Sequence, residues 1–149
     1  MLTTDIQQCS SCGRIPGPGT ISRWADEAFS SVSGEDAEVT IRIVDRDEGA
    51  VLNQKYRNVR RATNVLSFDY ANDPHSPPGV LGDVVICAAV VDEEASAQHK
   101  DFDAHWAHMV VHGILHLCGY DHAEEEAAQT MEKLETKILS RLGFPAPYA

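Results

Sequence analysis

The chain has 149 residues, 43% apolar and 23% charged, with a formal net charge of −11; these values fit one soluble domain, residues 1–149, large enough to bury a core. No run of about 18 apolar residues occurs, which excludes a membrane-spanning helix, and the opening MLTTDIQQCSSCG lacks the basic start and apolar stretch of a secretory leader, so a cytoplasmic location is expected. The acidity is uneven: residues 1–50 hold nine acids and four bases, residues 83–149 hold twelve and four, whereas Lys55, Arg57, Arg60 and Arg61 have no acid among them. Charge alone reads that basic segment equally as a solvated helix end or as a local patch for a polyanion.

Cys9 and Cys12 form a lone C-x-x-C with no second pair at zinc-ribbon spacing, so they are read as reduced thiols near a flexible end, and Cys87 and Cys118 as small packing residues. GRIPGPG (13–19) is a turn or loop that releases a helix near Ile21, with Ile21, Trp24, Ala25, Ala28 and Phe29 at helical spacing. AEVTIRIVD (37–45) alternates as a half-buried strand, and DEGAVLNQKYR (47–57) follows as a short helix. TNVLSFDY (63–70) is a strand with Val65, Ser67 and Asp69 opposite Asn64, Leu66 and Phe68; residues 72–79 form a loop. VLGDVVICAAVV (80–91) begins as a strand and turns helical. A helix runs from Asp103 to Gly119, and a second over 122–143 carries the apolar line Ala127, Met131, Leu134, Ile138 and Leu142 before Gly143 and Pro145 end it. The expected architecture is α+β, a small sheet covered by several helices.

HGILHLCGYDH (112–122) holds three histidines. Residues four apart share a helix face, so His112 and His116 can aim at one point. Gly119 falls where the helix must end in a left-handed cap, and the returning chain can deliver His122. Three neutral nitrogens suit a divalent transition metal, zinc above all, one ion per chain with a fourth position open to water, as in a catalytic site. His108, one helical turn before His112, is read as a supporting or packing residue, and Asp121 as one that orients an imidazole, accepts a proton or caps a helix starting at 123.

The spacing H-x3-H-x2-G-x2-H is also that of the metzincin proteases, which carry a glutamate as general base directly after the first histidine. Here that position is Gly113, so a metallopeptidase is the weaker reading. A phosphodiester makes a different demand, because charge builds on its non-bridging oxygens, where a metal and an arginine fork stabilise it.

HMVVHGILHLCGYDH resembles the signature of the YbeY endoribonucleases, bacterial rRNA-maturation factors. The likeness extends through LNQKYRNVRRATNVLSF (52–68), LGDVVIC (81–87) and MEKLETKILSRLGFPAPY (131–148). It implies a zincin-like fold, a small mixed sheet of about four strands with helices, and a zinc ion on His112, His116 and His122. It implies metal-dependent cleavage of single-stranded rRNA, maturation of the 16S rRNA 3′ end, a part in ribosome quality control, and the ribosome or its proteins as partners. The family's functional arginine falls on Arg57, to bind the scissile phosphate, with Lys55, Arg60 and Arg61 as auxiliary backbone contacts. Asp69-Tyr70 and the loop at 72–79 depart from the family pattern. The competing reading is a non-catalytic, metal-stabilised factor whose acidic faces bind ribosomal proteins.

Overall fold

Alternation along β2 (Ala37–Val44) buries Val39, Ile41 and Ile43 on one face, and the strand is one of two inner strands of the sheet. In the computed structural model, which describes residues 1–57, 63–70 and 74–148, β4 (Val80–Cys87) lies parallel to β2 on one side. β1 (Leu2–Gln8) lies parallel on the other, and β3 (Val65–Asp69) pairs antiparallel along the outer edge of β4. The order β1-β2-β4-β3 gives the small mixed sheet expected.

β1 corrects the expectation of a flexible N-terminal end. It pairs with β2 from Leu2 opposite Ala37 to Gln8 opposite Ile43, and the Cys9 amide then donates to the Ile43 carbonyl at 2.8 Å. Only Leu2 of its side chains is buried, so the strand shows no apolar alternation; the backbone ladder, invisible in composition, holds it.

Helices α1 (Pro18–Ser30), α4 (Phe102–Leu117) and α5 (Glu125–Arg141) build the main core on one face of the sheet, with Trp24, Ile41, Ile86, Trp106, Ile114 and Ile138 among its members. α1 starts at Pro18, earlier than the expected Ile21, because proline's fixed φ suits the first helical turn. On the opposite face Val44, Leu66, Val85 and Cys87 pack with Leu52 of α2 (Arg46–Arg57), and α3 (Ala88–Ala97) follows β4 directly. Thus Leu66 and Phe68 of β3 face the α2 side, while Val65 and Ser67 face α4, where Ser67 Oγ donates to the Gly113 carbonyl at 3.1 Å.

α4 is buried almost all round, with Trp106, Val110, Val111, Ile114 and Leu115 wholly enclosed. Its Gly113 sits against the sheet: a Cβ there would meet Val84 Cγ1 at 2.7 Å and Val65 Cγ2 at 3.3 Å. The residue that removes the protease-type base is therefore also the one that lets the helix approach β3 and β4.

Candidate metal centre

The side chain of Asp101 caps α4, accepting from the Ala104 amide at 3.2 Å. The other end closes in a Schellman turn: the Gly119 amide donates to the His116 carbonyl and the Tyr120 amide to the Leu115 carbonyl, both at 3.1 Å. Gly119 has φ +98, a conformation that side chains resist. The chain reverses there, and Asp121 Oδ1 accepts from the backbone amides of His122 (2.6 Å) and Ala123 (3.2 Å). Asp121 therefore fastens the loop that carries His122. α5 begins at Glu125 with Glu124 at its N-cap, so Asp121 is not the cap of a helix starting at 123.

These turns gather the three histidines into a near-equilateral triangle, with ring centroids 5.4 Å (His112–His116), 5.3 Å (His112–His122) and 5.3 Å (His116–His122) apart. One ligand atom from each lies within 4.8 Å of the other two. Tetrahedral zinc with bonds near 2.0–2.1 Å separates its ligand nitrogens by about 3.3 Å, so small ring rotations suffice. Burial, then the neighbouring His112 and His122, lower the pKa of His116, with a further contribution from Arg57. A neutral imidazole keeps the lone pair that a metal needs. His112 and His116 are half-buried and His122 is exposed, so the triangle opens to solvent. The donor set and its spacing fit a metal ion.

His108 stands outside the triangle, its ring 6.3 Å from that of His112. Its Nε2 is 2.7 Å from Glu135 Oε2, and His112 Nδ1 is 3.3 Å from the same oxygen. Glu135 is 1% exposed. Burial, the largest single influence, would raise its pKa, but the hydrogen bonds and charges of His108 and His112 together outweigh it and lower the pKa to about 2. Sequence reasoning missed Glu135. The available signal was an acid among the apolar positions Met131, Leu134 and Ile138 of α5.

Arg57 ends α2 and, with Tyr56, Ser67, Phe68 and Asp69, lines an open groove of about 760 Å³. Among the described residues it forms no ion pair, and its charge is felt at His116. Tyr56 is exposed and packs edge-on against Phe68 with centroids 4.8 Å apart; Lys55 Nζ lies 5.3 Å from the Tyr56 ring centroid. Arg60 and Arg61 lie outside the described residues.

Comparison with known proteins gives a consistent result. The family model described as Endoribonuclease YbeY matches residues 18–143. Proteins named Endoribonuclease YbeY from Cellvibrio japonicus (49% identical; 97% of this chain and 81% of that one) and Psychromonas ingrahamii (47%; 99% and 96%) align along nearly the whole length. One from Stutzerimonas stutzeri is 49% identical over 100% of this chain and 92% of its own. The solution structure of TM1509 from Thermotoga maritima superposes with a TM-score of 0.58 at 25% identity, covering 93% of this chain and 91% of that one.

Proposed function

The chain belongs to the YbeY family of endoribonucleases, and from that premise we propose that His112, His116 and His122 hold one zinc ion while Arg57 grips the scissile phosphate of single-stranded rRNA. The protein is a metal-dependent endoribonuclease of rRNA processing. Its step, in our reading, is maturation of the 16S rRNA 3′ end, with a part in ribosome quality control and the ribosome as its partner in the cytoplasm. Among the described residues no helix is long and apolar enough to cross a membrane.

The observation that carries the reading is the solvent-open triangle of imidazoles together with an arginine that has no acid partner among the described residues. A bound zinc supplies Lewis acidity with a coordination position left for water or a phosphate oxygen. Arg57 offers a planar fork of donors to the non-bridging oxygens, where negative charge grows in the transition state. Lys55 adds a weak, salt-sensitive backbone contact, and Arg60 and Arg61 belong to the same basic segment. The exposed ring of Tyr56 presents a π-face to an unstacked base, which a duplex does not offer. The nucleophile is water or the RNA 2′-hydroxyl; a 2′,3′-cyclic phosphate on the product identifies the latter.

A peptidase reading lacks its base, since position 113 is a glycine wedged against Val84. The test is cleavage of a single-stranded 16S 3′-end RNA under multiple turnover, with metal content measured alongside. His112→Ala is expected to lose zinc and cleavage together. Arg57→Ala is expected to keep zinc and lose about 10²–10³-fold in kcat. Cleavage by zinc-free His112→Ala removes the metal from the mechanism, and full turnover by Arg57→Ala removes the arginine.

A further inference from the structure

Glu135 lies on the face of α5 that packs into the protein, between Leu134 and Ile138, and is 1% exposed. A carboxylate so enclosed is tolerated only where its oxygens are hydrogen-bonded. Three groups meet it. His108 Nε2 is 2.7 Å from Oε2, His112 Nδ1 is 3.3 Å from the same oxygen, and the Tyr148 hydroxyl donates to Oε1 at 2.9 Å. Tyr148 also lies 3.1 Å from His108 Nε2. Oε1 and Oε2 are thus both pinned, and the carboxylate has no freedom to rotate away from His112.

The consequence reaches the triangle. An imidazole has two nitrogens, and in its neutral form only one carries a proton. A carboxylate facing Nδ1 accepts that proton's hydrogen bond, so Nδ1 is the protonated nitrogen and Nε2 keeps the free lone pair. We propose that Glu135 is a positioning residue of the metal centre, selecting the His112 tautomer that presents Nε2 to the ion. His108 and Tyr148 hold it in register. This rests on the reading of His112 as a ligand.

The proposal brings the C-terminal segment into the site. Phe144 packs edge-on against Trp24 of α1 with centroids 5.8 Å apart, Lys100 Nζ donates to the Pro147 carbonyl at 3.2 Å, and Tyr148 then reaches Glu135. Residues 144–148 form a strap tied at three points whose last tie supports a ligand's partner. His108, His112 and Glu135 also have donor atoms close enough to suggest a second ion. The distance from His108 Nε2 to Glu135 Oε2, 2.7 Å, is that of a hydrogen bond, shorter than the roughly 3.3 Å between two ligands of one tetrahedral zinc. This second group is therefore read as a hydrogen-bonded support of the first rather than as a second metal site.

The test compares the full-length wild type with Glu135→Gln, Tyr148→Phe and His112→Ala. Zinc affinity is measured by competition with a chromophoric chelator, and histidine tautomers by long-range ¹H–¹⁵N spectra of the zinc-free proteins. The wild type is expected to bind one zinc and show His112 protonated at Nδ1. Glu135→Gln should lose about 10-fold or more in zinc affinity and show a mixed His112 tautomer. Tyr148→Phe, altered only at the strap, should lose affinity by a smaller factor in the same direction. Unchanged affinity and an unchanged tautomer in Glu135→Gln overturn the proposal alone, as does a second wild-type zinc that Glu135→Gln abolishes. Wild-type affinity in His112→Ala overturns the ligand reading, and this proposal with it.

Discussion

Gly113→Ala separates two physical expectations by sign. Intrinsic propensity favours alanine over glycine inside a helix by about 1 kcal/mol, so at a position with free space the change raises the melting temperature. Here the new Cβ would stand 2.7 Å from Val84 Cγ1, whereas ordinary contact begins at 3.4 Å. Roughly 0.7 Å must be opened between α4 and β4 at a valine that is wholly enclosed. Overpacking of this kind costs about 1–3 kcal/mol. The propensity gain offsets about 1 kcal/mol of it, leaving a net loss of up to about 2 kcal/mol, or a fall of up to roughly 8 °C for a chain of this size. Thermal melts followed by circular dichroism measure the change. A double-mutant cycle with Val84→Ala assigns it, since removing the obstructing methyls should return at least about 1 kcal/mol of favourable coupling. A higher melting temperature for Gly113→Ala, or strictly additive effects in the cycle, would refute the close approach of α4 to the sheet.

Gly82 stands at φ +150, and a Cβ there would lie 2.0 Å from the Phe68 carbonyl oxygen; Gly82→Ala should cost more than about 3 kcal/mol in chemical denaturation, and a wild-type midpoint would remove the clash. Burial lowers the pKa of His105 against the opposing hydrogen bond to Glu94. The unfolded chain therefore takes up the proton first, so this stability is present above the ordinary histidine value of 6.5 and lost as pH falls from there through the lowered value of the folded protein. His105→Gln should flatten the decline of the melting temperature between about pH 7.5 and 5, and parallel declines would show that the buried neutral ring is not the source. Tyr56→Ala should weaken binding of single-stranded RNA by about 1–3 kcal/mol while Tyr56→Phe spares it; equal loss in both would argue for the hydroxyl and against stacking.

What the sequence disclosed depended on how local the physics is. His112 and His116 are related by one helical turn, and Gly119 by the cap of that same helix, so a short window contains their geometry. His122 follows within three residues of the cap. β1 was invisible because its stability lies in backbone bonds to β2, some 35 residues away, while its side chains are mostly exposed. Glu135 was missed for the same reason: its partners lie 13 to 27 residues off on other segments. Read along α5 alone, it is an acid out of pattern. Asp121 shows the limit of cap reading, since its carboxylate serves the loop at 122–123 and the helix starts two residues later than expected. In the sequence Gly113 is a missing base, which is a statement about chemistry; the structure adds a packing reason that no periodicity contains.

The charge distribution gives the site a direction. RNA is a polyanion, and a chain of net charge −11 repels it over most of its surface. The exception among the described residues is Arg57, which lines the groove and whose charge is felt at His116. The exposed Glu124, Glu125 and Glu126 follow His122 after Ala123. Those acids favour the positive end of α5 and repel a phosphate chain near it. At about 0.15 M salt such fields reach only about 8 Å, so they cannot draw RNA from a distance; they sort the poses of a strand already at the surface. Under the proposed grip of Arg57 on phosphate, a bound strand would follow the groove lined by Tyr56, Ser67, Phe68 and Asp69.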